Sequence, residues 1–330
     1  YNKEPLDFVM KTMQEDPVLS ITKATRIMCE HFEIEYTDNV RRAMSNLLSA
    51  RSFTDNVPEE VSELFEEAKK KKLDKKKDTF IISWAQNATP IHKNLMNNIE
   101  AYAGSLNAGI HIVAGRYSNP TSIFTDKDKD WWSPKVTPYL DAARHNLHKN
   151  LQVLSDVKIP PTGSTPLSGL NSVTGLESCI VGHPRQQVKS LPILDGYPHK
   201  LLLSTGAVTI ANYTDSKSGK KGEFHHSLGF VIVELDGEHF HIRQVSADDK
   251  GNFYDLFKRV KNGVVSENEE GCEVAVLGDI HIAHNDNKAT ALSFDLLDKM
   301  KPKHTMIHDI IDCESISHHE ENDPFRIMQK

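Results

Sequence analysis

Along the front of the chain apolar residues recur at helical spacing. Ile21, Ala24, Met28 and Phe32 fall on one face. After a break at residues 33–36, a Thr37/Asp38 cap opens a second helix with Val40, Ala43, Met44, Leu47 and Leu48 inward. The pattern predicts a helix, short turn, helix arrangement whose second helix turns Arg41, Arg42, Ser45, Asn46 and Ser49 outward, with Arg51 just beyond. Such a set can touch phosphates and base edges, or the pair can serve as a packing or oligomerisation module, since the usual turn glycine is missing. Pro58, Glu59 and Glu60 start a third helix with Val61, Leu64, Phe65 and Ala68 inward. It runs into KKKKLDKKK at residues 69–77, whose seven lysines and one aspartate cannot pack inward. This is a solvated helix end or linker, or a stripe that attracts phosphate through Lys70, Lys71, Lys75 and Lys76. Residues 1–77 are therefore expected to form a helical module, open to a helix-turn-helix reading.

The period then changes. Residues 79–85 (TFIISWA) predict a strand, residues 90–103 an amphipathic helix and residues 109–115 (GIHIVAG) a second strand, a βαβ unit that implies a parallel sheet. A helix at residues 138–149 and a strand at 151–157 are expected to extend it. Trp131 and Trp132 are expected to anchor a loop. Residues 160–175 turn to Pro, Gly, Ser and Thr, a long crossing segment. Short apolar runs follow at 178–181, 200–203, 207–211, 228–235 and 238–245, with a hairpin signal at Asp236-Gly237 and a turn-rich tip at 216–222. They predict a mostly antiparallel sheet. His239 and His241 share a strand face there, a spacing that suits metal but lacks convergent partners, so an exposed hairpin face is expected. Residues 251–263 are expected to be helix and linker. The middle domain is thus placed at 78–270, α/β with antiparallel strands.

From residue 271 the pattern carries chemistry. A strand over 273–278 stops at Gly278 and delivers Asp279 and His281; a helix over 287–301 follows; a strand over 304–307 delivers Asp309 and Asp312. In a right-handed βαβ unit both acidic clusters fall at one C-terminal strand edge, where open α/β sheets bind ligands. Carboxylates with imidazole suit a divalent cation.

Composition narrows the surroundings. With 330 residues and 38% hydrophobic content, several domains can each bury a core. No apolar run approaches the roughly 18 residues that cross a bilayer, so no membrane partner and a cytoplasmic location are expected. Cys29, Cys179, Cys272 and Cys313 lie far apart without a CxxC pair, which argues for a reducing compartment. A net charge of −7 gives no global nucleic-acid signature, so any DNA contact must be local.

The pair Gly278-Asp279-x-His281 and Asp309-x-x-Asp312 resembles the first two blocks of the calcineurin-like metallophosphoesterases, including the SbcD-type DNA nucleases. The whole arrangement is similar to the pre-early, host-DNA-degrading nucleases of T-odd (T-five type) bacteriophages. The resemblance implies two divalent ions, with Mn2+ expected: Asp279 and His281 would hold one, Asp309 would bridge both, and Asp312 would support a catalytic histidine from a third block. It also implies DNA as substrate and a host-cytoplasmic location. Two positions depart from the family pattern, His308 where glycine usually precedes the second-block Asp, and Ala283 where glycine is frequent. The Asn-His block and later histidines do not occur before Lys330, and His318 and His319 follow too soon to replace them. Residues 271–330 are accordingly expected to be the first part of a truncated phosphoesterase domain, inactive by itself. Expected overall is an α/β (α+β) protein, a metal-dependent DNA nuclease and a homo-oligomer. A DNA-binding or assembly protein with a structural phosphoesterase-like part, or a non-nuclease phosphoesterase, is the rival.

Overall fold

A computed structural model of the chain describes residues 4–15, 19–50, 61–74, 76–119, 131–194, 196–282, 285–310, 322 and 324–328. Arg51, Pro58, Lys75, Ala283, Asp312, His318 and His319 lie outside the described residues. The protein is mixed α/β and divides into two compact units, Tyr1–Tyr254 with Val260–Val265, and Asp255–Arg259 with Ser266–Lys330.

The first unit opens with helices α1 (Glu4–Glu15), α2 (Ile21–His31) and α3 (Asp38–Ala50), which share a small core of Val9, Ala24, Met28, Cys29 and Met44. Side chains supply the caps: Ser20 Oγ accepts the Lys23 amide and Thr37 Oγ1 the Val40 amide, both at 3.3 Å. Helix α4 (Val61–Ala68) sends Ala68 and Phe65 into the next layer.

That layer is built on β1 (Thr79–Gln86), α5 (Lys93–Leu106) and β2 (Gly109–Gly115), the expected βαβ unit, with β3 (Leu140–Asp141) parallel to β2. Strands β4 (Arg144–His148), β5 (Leu151–Leu154), β6 (Ser178–Val181), β7 (Val188–Leu191) and β8 (Lys200–Ser204) form a second sheet in the order β4-β5-β6-β8-β7. After α6 (Lys217–His225), the hairpin β9 (Gly229–Asp236) and β10 (His239–Ser246) returns to the first sheet, whose order is β10-β9-β1-β2-β3. Both sheets are mixed. The expected mostly antiparallel sheet is therefore corrected, because β5, β6 and β8 run parallel and only β4, β7 and the hairpin run against their neighbours.

Period-2 alternation explains the layering. On β1, Phe80, Ile82 and Trp84 face a core shared with Leu151, Val153, Ile180 and Leu203 of the second sheet. Ile81 and Ala85 face the other way, onto Leu95, Met96, Ile99 and Tyr102 of α5. Buried on both faces, β1 reads as one apolar run. The outer face of the second sheet is covered by the residue 160–175 segment, whose Leu167 and Leu170 pack on Leu154, Cys179 and Leu202. Trp132 is 3% exposed, stacks on Phe65 and donates its indole N–H to Ala85 O at 3.1 Å, the anchoring expected of it.

Three expected elements differ. Residues 138–149 are a short 3-10 turn followed by β3 and β4, not a helix. Residues 216–222 belong to the helix α6, with Ser216 as its cap. Residues 251–263 hold β11 (Phe253–Asp255) and β12 (Lys258–Lys261), because Gly251, Leu256, Asn262 and Gly263 all take positive φ and forbid a continuous helix. After β13 (Val264–Glu267), the second unit carries β14 (Val274–Asp279), α7 (Asn287–Met300), β15 (His304–His308) and the short α8 (Pro324–Ile327).

Candidate metal centre

Strands β14 and β15 pair in parallel from Val274 opposite His304 onward, and a bulge between Leu277 and Asp279 leaves Gly278 out of the ladder. The extra residue re-aims the strand end, so Asp279 stands opposite His308. Helix α7 joins the strands. Asp286 caps it by accepting the amides of Lys288 at 2.8 Å and Ala289 at 2.9 Å, and Lys301 ends it in the left-handed region.

At the strand ends, ligand atoms of Asp279, His308 and Asp309 lie within 4.8 Å of one another. His308 Nδ1 is 2.7 Å from Asp279 Oδ1 and 3.5 Å from Asp309 Oδ2. His281 stands one step outside, its Nε2 3.7 Å from Asp279 Oδ2. The side chains of Asp279, His308 and Asp309 are 52%, 73% and 61% exposed, so the cluster is open to solvent. The hydrogen bond to His308 holds the Asp279 carboxyl below its ordinary range, with His281 adding to the effect. The same hydrogen bond, with the charges of Asp309 and Asp279, raises the His308 imidazole.

Backbone geometry sets these positions. His281 and Asp309 both take positive φ, +46° and +37°, which costs a non-glycine residue energy and collects at functional sites. The Ile280 and His281 amides donate to Asp309 O at 3.0 and 3.2 Å, locking the two loop ends together. Beside them a depression of about 360 Å³ is lined by Ile280, Ile282, Phe294, Ile307 and Ile310 together with Asn285, Asn287 and Thr290.

Of the residues singled out in the sequence, Asp279 and Asp309 come together with His281 adjacent, while Asp312 lies outside the described residues. His308 was met only as a departure from the family pattern; the structure places it between the two carboxylates.

The candidate DNA contacts divide. Arg41 is not turned outward: it is 4% exposed, its Nε 3.3 Å from Asp38 Oδ1 and 3.2 Å from Asp215 Oδ2, so its charge is spent inside the fold. Arg42 stays exposed beside Asp38 at 3.6 Å. Lys70 and Lys76 are exposed, Lys71 donates to Pro138 O at 2.6 Å, and Lys75 is outside the described residues. His239 and His241 are exposed on β10.

The βαβ unit of the first unit repeats this geometry with other side chains. In both, the residue paired with the last member of the first strand lies 29 positions on, Gln86 with Gly115 and Asp279 with His308. Both helices have 14 residues and end on a left-handed cap, Asn107 and Lys301. Two residues beyond each strand the chain turns through positive φ, at Ala88 (+50°) and at His281 (+46°). Gln86 and Ala88 thus occupy the places of Asp279 and His281, and this edge is buried.

No known family profile matches the chain. Over 259 residues it is 29% identical to "Protein A1" of Escherichia phage T5, covering 73% of this chain and 46% of that protein. The chain spans less than half the length of this relative. Among solved structures, Vps29 of Chaetomium thermophilum is 11% identical and is covered over 96% of its length by 57% of this chain, at a TM-score of 0.27, too low to carry an assignment.

Proposed function

We propose that this chain belongs to a phage-encoded, metal-dependent phosphodiesterase that cleaves DNA. The observation that carries the reading is the convergence of Asp279, His308 and Asp309, with His281 adjacent, at the C-terminal edge of two parallel strands. The donor set fits divalent ions: two carboxylates neutralise charge and imidazole adds a borderline ligand, with Mn2+ as the proposed ion. Asp279 and His281 would hold one ion, and Asp309 would stand between it and a second. A bound pair supplies Lewis acidity toward a phosphoryl oxygen and lowers the pKa of water. The chain's own part is to fix the two strand ends through the amides on Asp309 O and to leave the edge open for a polymer. His308 keeps Asp279 oriented through a shared proton at Nδ1. Exposed Arg42, Lys70 and Lys76 are the proposed contacts for the DNA backbone, and the active assembly is proposed to be a homo-oligomer.

The test uses the full-length protein. Asp279→Ala and Asp309→Ala should each lower Mn2+-dependent plasmid digestion by more than the roughly 10–100-fold typical of residues that only support a ligand, with unfolding curves unchanged. Wild-type digestion by either variant would sink the assignment. A chromogenic phosphodiester run alongside separates a nuclease from a small-molecule phosphoesterase, and DNA binding without metal uptake would favour an assembly role.

A further inference from the structure

A second set of His and Asp side chains converges among the described residues, and it is buried. His111 comes from β2, Asp141 from β3 and His145 from β4; their side chains are 7%, 0% and 7% exposed. Strand β3 lies beside β2 with Asp141 opposite Val113, and after Ala142 and Ala143 the chain enters the second sheet as β4. The three residues therefore stand where the chain crosses from one sheet to the other.

The hydrogen bonding of this trio is incomplete. Asp141 Oδ1 accepts the Ala143 amide at 2.9 Å. Both rings then address the one remaining oxygen, Oδ2: His111 Nδ1 at 2.9 Å and His145 Nε2 at 2.7 Å. The first contact is a hydrogen bond. The second is close but misaligned, and His145 Nε2 is left a buried nitrogen without a hydrogen-bond partner. A buried imidazole nitrogen without a hydrogen-bond partner, set beside a carboxylate oxygen, leaves a donor atom for a cation.

We propose that His111, Asp141 and His145 form a structural site for one Zn2+ ion that ties the two sheets of the sandwich together. Two imidazoles and one carboxylate are a borderline donor set suited to zinc, whereas Mn2+ prefers oxygen-rich sites. Zinc bonds of about 2.0–2.1 Å set tetrahedral ligand atoms about 3.3 Å apart. The contacts at 2.7 and 2.9 Å would open by about half an ångström on ligation. Three protein ligands leave the fourth tetrahedral position to a water; with the Phe80 ring 5.7 Å from the His111 ring and all three side chains buried, that position is closed to a substrate, which favours a structural role.

The experiment starts from the Asp279→Ala/Asp309→Ala protein, whose changed residues are exposed and belong to the other unit, so that bound metal reports the interior. After dialysis, plasma mass spectrometry should find close to one equivalent of zinc. Exchange with Co2+ should give the intense visible bands of tetrahedral cobalt, and chelation should lower Tm by several degrees. Adding His145→Gln should abolish both zinc and cobalt bands. Absence of zinc together with absence of cobalt bands in the starting protein would overturn the site, leaving a metal-free His-Asp-His cluster. Bands that persist with His145→Gln would overturn it too. Should that variant fail to fold, the chelation arm decides, and an unchanged Tm refutes the proposal.

Discussion

His183 is fully buried and its ring is held neutral by its neighbours. Nδ1 accepts the Arg185 amide at 3.0 Å and Nε2 donates to Pro160 O at 3.2 Å, so a second proton would face an N–H. Burial pushes its pKa from 6.5 down to about 4. His226 is pushed to about 4 by the same cause, with Tyr213 donating to Nδ1 at 2.6 Å and Nε2 donating to Thr209 O at 2.8 Å. The sign follows from the unfolded chain, which takes up these protons at higher pH than the folded protein does. Stability is fully present above about pH 6.5 and is lost as pH falls toward 4, by roughly 3 kcal/mol for His183. Urea unfolding at pH 7 and pH 4.5 should show this loss, and His183→Asn should lose clearly less. An equal loss in the variant would place the titration elsewhere.

Close approach fixes the glycines at the ends of β2 and β6. A Cβ on Gly115 would lie 2.1 Å from the Trp84 ring, and one on Gly182 would lie 2.4 Å from Val113 Cγ1. Gly115→Ala should therefore destabilise by about 1–3 kcal/mol through overpacking, whereas Gly104→Ala in α5, with nothing within 4 Å, should stabilise by about 0.5–1 kcal/mol. Chemical denaturation of both variants checks the contrast. The elements that the sequence reveals are those that carry apolar residues at the strand or helix period: β1, β2, α5, the β9/β10 hairpin, and β14 with α7 and β15. Strand β4 hides because its fully buried member is His145, so the alternation reads as polar and the Asp141/His145 pair imitates helical spacing. That one misreading conceals the buried trio. Helix α6 hides for a different reason. Gly219 and Gly222 imitate a turn, yet a Cβ at Gly219 would lie 1.7 Å from Thr214 O, so glycine is there for space. At the exposed centre, Asp279 and Asp309 are legible from strand-end position, but the contact to His308 depends on a bulge that no pattern announces.

As a whole the molecule joins a well-filled unit to a thinly packed one. The first unit buries two faces of one sheet and two of the other. In the second, α7 has no buried residue, and Val276, Met306 and Leu292 are 70%, 61% and 58% exposed. A two-stranded sheet needs a well-packed helix or further strands to be stable by itself, and α7 buries no residue against β14 and β15. Residues 266–330 expressed alone should therefore give a coil-like circular dichroism spectrum and poorly dispersed amide resonances, while residues 1–265 unfold cooperatively. A dispersed spectrum from the short fragment would show that the strand pair and helix suffice by themselves.

The left-handed step after each first strand, at Ala88 and at His281, has a consequence for how such proteins change. The backbone reversal is paid at both places, while the chemistry rests on a few side chains hung from it. A strand end of this kind is a socket: at one an amide and a methyl fill an enclosed edge, at the other a carboxylate and an imidazole stand open as possible cation donors, and neither choice asks the chain to be rerouted. Gain and loss of such donors then become matters of point substitution on a shared bend, and this chain carries both versions.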